Sequence, residues 1–158
     1  MASDFDEPFR PLEASGLFKR TVDTERVIYS SPKVSLAVTY NSRDGLSAYL
    51  EFPALGSGRV SLDTLVEALK VSPPGVGISS DGTVLGEVRF LLDNYERLQR
   101  VTAETYDDLC SLQFWHGITW QKKWGSTITL TSTQITAEKA RLSRLMGYFV
   151  PVVSRVTW

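Results

Sequence analysis

Alternating apolar and polar positions predict an antiparallel β-meander in the first third of the chain. The predicted strands span 26–31, 33–40 and 46–52. In the middle strand, Val34, Leu36 and Val38 alternate with small or polar residues, which is typical of a strand with one face in the core. Asp44 and Gly45 precede the third strand and can supply the positive φ that a tight hairpin requires. We therefore expect three neighbouring strands that share one apolar face.

Helical spacing of apolar residues dominates most of the remaining chain. Helices are predicted over 61–70, from 84 to about 116 and over 137–149, and Phe9, Leu12 and Leu17 predict a short helix near the start. Ser61 can cap the first of the longer helices. A single helix over 84–116 would be about 50 Å long, which exceeds a domain of this size. We therefore expect a break near 100–105.

Two further segments have other patterns. Ile128 and Leu130 alternate with threonines in 126–136, which predicts a short strand or an extended crossing segment. Segment 71–83 contains two prolines and three glycines, which predicts a flexible surface loop. Its glycine spacing matches neither a dinucleotide-binding fingerprint nor a phosphate-binding loop.

These elements predict one α+β domain over 1–158. An antiparallel β-meander of three or more strands is packed on one face by a long, broken helix and a C-terminal helix. The sheet-forming part spans about 17–53 and the helical part about 61–149. A chain of 158 residues is long enough for one domain with its own core.

Composition and charge narrow the class of protein. The formal net charge is −1, so no overall field draws the chain to nucleic acid or anionic lipid. The charge is uneven, however: 81–113 holds seven acids and three basic residues, whereas 114–158 holds six basic residues and one acid. With a single cysteine, no apolar leader and no membrane-length apolar run, we expect a cytoplasmic protein without membrane contact.

Residues for common catalytic chemistries are scarce. His116 is the only histidine and lies six residues after Cys110, which places the two on different faces of a helix. Asp107 and Asp108 are adjacent, so they point about 100° apart on a helix. One histidine and one cysteine do not complete a zinc shell. We expect no catalytic residue, metal or cofactor, although a carboxylate site between sheet and helices stays open as an alternative.

The stretch FWHGITWQKKWG, residues 114–125, contains three of the four tryptophans and the only histidine. The candidate partner-binding residues here are Trp115, His116, Trp120, Lys122, Lys123 and Trp124. In one interpretation Trp115 and Trp120 close the core over the sheet, as large apolar side chains commonly do. In the other, the tryptophans and lysines form an exposed surface that anchors a protein or stacks nucleic-acid bases.

Acidic residues of the 84–99 helix provide a second candidate surface. Glu87, Asp93 and Glu96 fall opposite the apolar stripe, so we expect all three on the solvent face. Asp93 and Glu96 are candidate contacts for a basic partner.

Two segments carry a resemblance to a known group of proteins. They are VIYSSPKVSLAVTYNSRDGLSAYLEF (27–52), a meander with an Asp-Gly turn, and LGEVRFLLDNYERLQ (85–99), a helix with a Leu-Leu-x-x-Tyr core face. In this order they resemble a broad group of small bacterial cytosolic proteins, some of which are immunity proteins encoded beside polymorphic toxins. The resemblance implies a non-enzymatic inhibitor that binds a cognate toxin domain, and it transfers no functional residues.

Three functional hypotheses follow. The first is a non-enzymatic interaction protein of immunity type, whose partner is a toxin domain or an assembly subunit. The second is a nucleic-acid-binding protein that uses the cationic, tryptophan-containing C-terminal third. The third is a small-ligand or enzymatic domain with a carboxylate site.

Overall fold

The sheet is a five-stranded antiparallel meander. The computed structural model describes residues 4–43, 45–69, 84–123 and 130–150. The strands, in spatial as well as chain order, are β1 Lys19–Val22, β2 Arg26–Ser30, β3 Ser35–Asn41, β4 Gly45–Glu51 and β5 Arg59–Ser61. The three predicted strands correspond to β2, β3 and β4, and the predicted α+β fold is confirmed. The edge strands β1 and β5 were not predicted, and β5 lies beyond the predicted sheet segment.

The register of the central strands follows the apolar alternation. Leu36 in β3 lies opposite Tyr29 in β2 and Leu50 in β4, and all three side chains are fully buried. The hairpin between β3 and β4 closes with Asn41 opposite Gly45, which has φ of 79°. Only glycine adopts this backbone region readily, so Gly45 fixes the turn that sets the register.

Seven helical segments accompany the sheet in the described residues. They are a 3-10 helix Asp4–Phe9, α1 Pro11–Ala14, α2 Leu62–Ala68, α3 Val84–Asp93, α4 Tyr95–Gln99, α5 Ala103–Lys123 and α6 Ser132–Tyr148. Ser61 caps α2 as predicted, since its hydroxyl accepts a hydrogen bond from the Thr64 amide. The predicted long helix is interrupted twice, at Asn94 and between Gln99 and Ala103, so a break does occur near 100–105.

The N-terminal segment and α6 depart from their predicted form. Phe9 and Leu12 are buried, but Leu17 is exposed because Gly16, with φ of 78°, ends the helical stretch before it. The short strand or extended crossing segment predicted over 126–136 is wrong for 132–136, because α6 begins at Ser132; 126–129 lie outside the described residues. A reciprocal capping box between Thr131 and Gln134 starts that helix and overrides the β preference of the threonines.

One hydrophobic core lies between the sheet and the helices. Its fully buried larger side chains come from every layer: Phe9, Leu12, Tyr29, Leu36, Leu50, Phe52, Leu62, Leu65, Leu69, Phe90, Leu91 and Leu98. In α3, the fully buried Phe90 and Leu91 take the central positions, whereas the neighbouring Leu92 is only partly buried. The helices therefore cover the sheet face that carries Leu36 and Leu50.

Candidate functional site

The tryptophan-rich candidate surface falls mostly outside the described part of the chain. Trp115, His116, Trp120, Lys122 and Lys123 belong to the helical backbone of α5, but their side chains lie outside what the structure describes. Trp124 lies outside the described residues altogether. The role of this stretch in partner binding stays a prediction.

The acidic candidate surface divides into exposed and buried members. Asp93 and Glu96 are exposed, at the end of α3 and in α4. Glu87, which we expected on the same solvent face, is buried with only 7% of its surface exposed, so that prediction is wrong. Leu91 follows Glu87 by four residues, which is about one helical turn. The two side chains therefore lie on the same, inward face of α3.

Glu87 lines a cleft at one corner of the sheet. The cleft has a volume of about 360 Å³, within the range of about 300–1,000 Å³ usual for ligand sites. Its polar wall consists of Ser47, Tyr49, Ser61, Asp63 and Glu87, and its apolar wall of Phe9, Leu46, Ala48 and Val84. We call this site the carboxylate cleft.

The local chain path explains why a cleft forms there. β5 pairs with β4 from Glu51 back to Tyr49, and after Ser61 the chain turns directly into α2. The helix therefore leaves the sheet beside the first half of β4, opening a wedge that the start of α3 borders with Val84 and Glu87. The capping of α2 by Ser61 fixes where this divergence occurs.

The cleft strongly perturbs the acidity of Glu87. Burial, and to a lesser degree the negative charge of Asp63, raise the pKa of Glu87 from its usual 4.5 to about 7. No hydrogen bond or ion pair joins Glu87 to another described residue, and its carboxyl oxygens are not among the fully enclosed atoms, so they open into the cleft. Buried carboxyl groups normally have such partners. Glu87 is therefore a buried acid whose charge is opposed, not neutralised, by its surroundings.

The second carboxylate of the cleft also favours a cation. Asp63 is exposed in the first turn of α2, where the helix dipole favours a negative charge. Ser47 and Tyr49 border the cleft, but strand alternation directs their side chains to the sheet face opposite Leu50. A positively charged group between Asp63 and Glu87 would remove the like-charge repulsion and stabilise the ionised form of Glu87. Phosphate and other anions would instead be repelled.

By contrast, a second buried carboxylate, that of Asp6, accepts hydrogen bonds at both of its oxygens. Arg20 donates to it through Nε at 2.7 Å and Nη2 at 2.9 Å, and the hydroxyl of Tyr29 donates to Oδ2. Burial raises the pKa of Asp6, but the hydrogen bonds from Arg20 and Tyr29 outweigh it and leave the pKa below its usual value. Arg20 and Tyr29 are cross-strand partners in β1 and β2, so this network fastens the N-terminal 3-10 helix to the sheet.

Some charges of the acidic 81–113 segment and the basic 114–158 segment form ion pairs within the fold. Arg144 of α6 binds Asp108 of α5 through Nε at 3.0 Å and Nη2 at 2.8 Å. Arg141 pairs with Glu138, which also accepts a hydrogen bond from Ser111 of α5. The basic helix α6 and the acidic start of α5 therefore attract each other. These two arginines are engaged with acids and do not form an open cationic stripe.

Neither a metal centre nor a membrane span occurs in the described residues. No three His, Cys, Asp or Glu side chains of the described ranges come together as metal ligands would. None of the helices there combines the length and the apolar character of a membrane-spanning segment.

The sequence does not predict that Asp63 and Glu87 line the same cleft. Twenty-three residues separate them in the chain, and no motif links the first turn of α2 to the first turn of α3. One signal was present: 87, 91, 94 and 98 follow a helical period, and the last three residues are fully buried. Glu87 was assigned to the solvent face because it is charged, although its position predicts an inward side chain.

Comparison with known proteins gives no relative. No protein-family model, no curated protein and no solved structure matches this chain. The resemblance to immunity proteins therefore stays a prediction.

Proposed function

We propose that this protein is a non-enzymatic binding protein whose carboxylate cleft holds a cationic group of its partner. The observation that carries the proposal is the state of Glu87: it is buried, lacks a hydrogen-bond partner among the described residues and lies in a cleft with a second carboxylate. Such an arrangement opposes folding on its own and becomes favourable when a cation enters.

The chemistry of the cleft favours an amine or guanidinium group. A lysine or arginine side chain has an apolar stem that suits Phe9, Leu46 and Ala48, and a charged head that suits Asp63 and Glu87. A free divalent metal is less suitable, since the described residues line the cleft with two carboxylates and such ions take more oxygen ligands.

A protein partner fits this chemistry better than nucleic acid does. The cleft repels phosphate, and the arginines of α6 that could contact a backbone are paired with Asp108 and Glu138. A toxin domain is one such partner, as the resemblance to immunity proteins implies. A basic residue that the toxin needs for its own activity would then be sequestered by Asp63 and Glu87.

The experiment that tests the proposal is a titration with n-butylammonium, followed by NMR of the Glu87 side-chain carboxyl. We expect the ammonium to shift this resonance and to lower the pKa of Glu87 from about 7, because a cation stabilises the carboxylate. Neutral n-butanol has a similar stem and controls for apolar binding.

Two variants make the titration specific. Both variants are followed by the backbone amide resonances of Leu46 and Asp63, which line the same cleft. Glu87→Gln should abolish ammonium binding, whereas Glu104→Gln, which removes an exposed acid of α5 away from the cleft, should leave it unchanged. Equal responses to butanol and butylammonium, or equal binding by the Glu87→Gln variant, would contradict the proposal.

A second candidate function is acid–base chemistry at Glu87. The observation in its favour is the pKa of about 7, because a general acid or base works best with a pKa near the operating pH. An activity that survives His116→Ala but is lost in Glu87→Gln would favour this candidate. If Glu87→Gln loses such an activity but still forms a tight complex with the partner, binding and catalysis are separate functions.

A further inference from the structure

The carboxylate cleft runs along an edge of β4 that is free of strand pairing within the described ranges and has α2 beside it. β5 pairs with β4 only at Tyr49, Leu50 and Glu51. Within the described ranges, no strand pairs with the outer edge of β4 over residues 45–48. Every second residue of such an edge directs its N–H and C=O away from the sheet, where another strand can bind them.

This edge and the acidic pair belong to one site. Four consecutive β4 residues, from Leu46 to Tyr49, line the same cleft as Asp63 and Glu87. Four strand residues extend about 13 Å, so the cleft borders this length of β4. A strand laid in it would direct every second side chain toward the helical layer, where Glu87 lies.

We infer that the carboxylate cleft binds an extended basic peptide segment of a protein partner. The segment adds as a strand to the outer edge of β4 at 45–48 and places one lysine or arginine between Asp63 and Glu87. The main-chain hydrogen bonds supply the general affinity and the two carboxylates select the basic side chain. The inference rests on the proposed function, and it adds the form of the partner and the direction from which it binds.

Charge complementarity identifies this occupant over an apolar one. An apolar strand would leave Glu87 buried without a partner, whereas a lysine or arginine ammonium or guanidinium supplies the missing counter-charge. An acidic strand would add a third negative charge to the cleft. The length of the free edge also limits the contact to a short segment, since β5 occupies the edge from Tyr49 onward.

The test uses a set of acetylated Thr/Val hexapeptides with one lysine moved through successive positions. Two matched peptides accompany the best binder: one with norleucine in place of lysine, and one with N-methyl groups on alternate backbone amides. Binding is followed by NMR, together with hydrogen exchange of the amides of Gly45, Leu46, Ser47 and Ala48. n-Butylammonium is titrated in parallel.

The expected result is binding of at least one lysine peptide with slower exchange of the β4 edge amides. The norleucine and N-methyl peptides should each bind at least about tenfold more weakly, and so should the lysine peptide to Glu87→Gln. The Glu104→Gln variant, which removes an exposed acid that does not line the cleft, should bind like the wild type.

The remaining outcomes separate two failures. If butylammonium binds but every lysine peptide fails, or the N-methyl peptide binds equally well without edge protection, strand addition is overturned while the proposed cation site stands. If neither butylammonium nor any lysine peptide perturbs Glu87, both the strand addition and the proposed function are overturned.

Discussion

Glu87 of α3 and Asp63 of α2 present two carboxyl groups to one cleft, with no cation between them among the described residues. Burial and the charge of Asp63 raise the pKa of Glu87 to about 7. At neutral pH Glu87 is therefore partly ionised in the folded protein, although its surroundings disfavour the charge. Sites that bind a ligand commonly retain such locally unfavourable groups.

Replacing Glu87 by glutamine should stabilise the protein above neutral pH. The folded state binds the Glu87 proton more tightly than the unfolded state, so the free energy of unfolding falls as pH rises from about 4.5 through about 7. A shift of this size corresponds to about 3 kcal/mol. Urea unfolding of both proteins at about pH 5 and about pH 8 should show Glu87→Gln gaining roughly this amount at the higher pH.

The exposed acid Asp93 provides the control for this effect. Asp93→Asn lies on the same helix and removes the same charge, yet its stability relative to the wild type should change little over this pH interval. A Glu87→Gln variant that is no more stable than the wild type at about pH 8 would contradict the burial and repulsion assigned to Glu87.

Asp6 illustrates the opposite case, in which a buried charge is satisfied. Asp6→Asn leaves the guanidinium of Arg20, which is 14% exposed, without its counter-charge, and we expect a loss of about 3–5 kcal/mol. Tyr29→Phe removes only one donor to the carboxylate and should lose about 1–2 kcal/mol. Chemical denaturation at neutral pH measures both values.

The pH dependence distinguishes this role of Asp6 from simple packing. The pKa of Asp6 is lowered in the fold, so its contribution is present above the usual pKa of 3.8 and is lost as pH falls through the folded value. The acid-induced loss of stability should therefore be smaller in Asp6→Asn than in the wild type. Equal acid sensitivity of the two proteins would contradict the ion pair as its cause.

Asn94 connects the interruption between α3 and α4 to the end of α6. Its amide donates to the carbonyls of Phe90 at 3.0 Å and Val150 at 2.9 Å, and its oxygen accepts from the Val150 amide at 2.7 Å. Asn94→Ala should lose about 1–3 kcal/mol, because the part-buried amide and carbonyl of Val150 lose their partner, whereas the Phe90 carbonyl keeps its bond from the Asn94 backbone amide. Asn94→Asp should be worse, since a carboxylate would face two carbonyl oxygens. Hydrogen exchange at Val150 that is unchanged in Asn94→Ala would contradict this role.

The fold was predictable where a local pattern coincides with burial. The alternation in β3 and β4 identifies the core face, although Ala37 on the other face of β3 is buried as well, and Gly45 marks the turn between the strands. β1 has one partly buried residue among four and β5 has only three residues. Neither carries enough alternation to be recognised, because pairing with the neighbouring strand determines both. The start of α6 was missed since a capping interaction outweighed the local preference of the threonines.

The candidate site was less predictable for a different physical reason. Asp63 and Glu87 meet only because α2 diverges from β4 and α3 returns beside it, which no spacing along the chain expresses. Asn94 likewise reads as a surface residue until its contact with Val150 is known. Polar residues at inward helical positions were therefore the informative signal, and charge alone was a poor guide to exposure.

The loop before β5 depends on two glycines that lie against Tyr106 of α5. The hydroxyl of Tyr106 accepts from the Gly58 amide at 2.7 Å and donates to the Gly58 carbonyl at 3.1 Å. A Cβ on Gly58 would lie 2.8 Å from this hydroxyl oxygen and 3.1 Å from the Cys110 sulfur. Gly58→Ala should therefore displace Tyr106, break both hydrogen bonds and lose about 2–3 kcal/mol.

Gly56 provides a comparison that isolates the contribution of the Tyr106 hydroxyl. Each glycine is replaced by alanine both in the wild type and in Tyr106→Phe. In Tyr106→Phe the hydroxyl is gone, so Gly58→Ala should lose clearly less stability there than in the wild type. A Cβ on Gly56 would lie 2.8 Å from the same hydroxyl oxygen but also 2.9 Å from the ring carbon Cε2 of Tyr106, and the phenylalanine ring keeps this carbon. Gly56→Ala should thus remain destabilising in both backgrounds. Thermal unfolding of the two double-mutant cycles measures the difference, and equal coupling of both glycines to the hydroxyl would contradict the proposed contact.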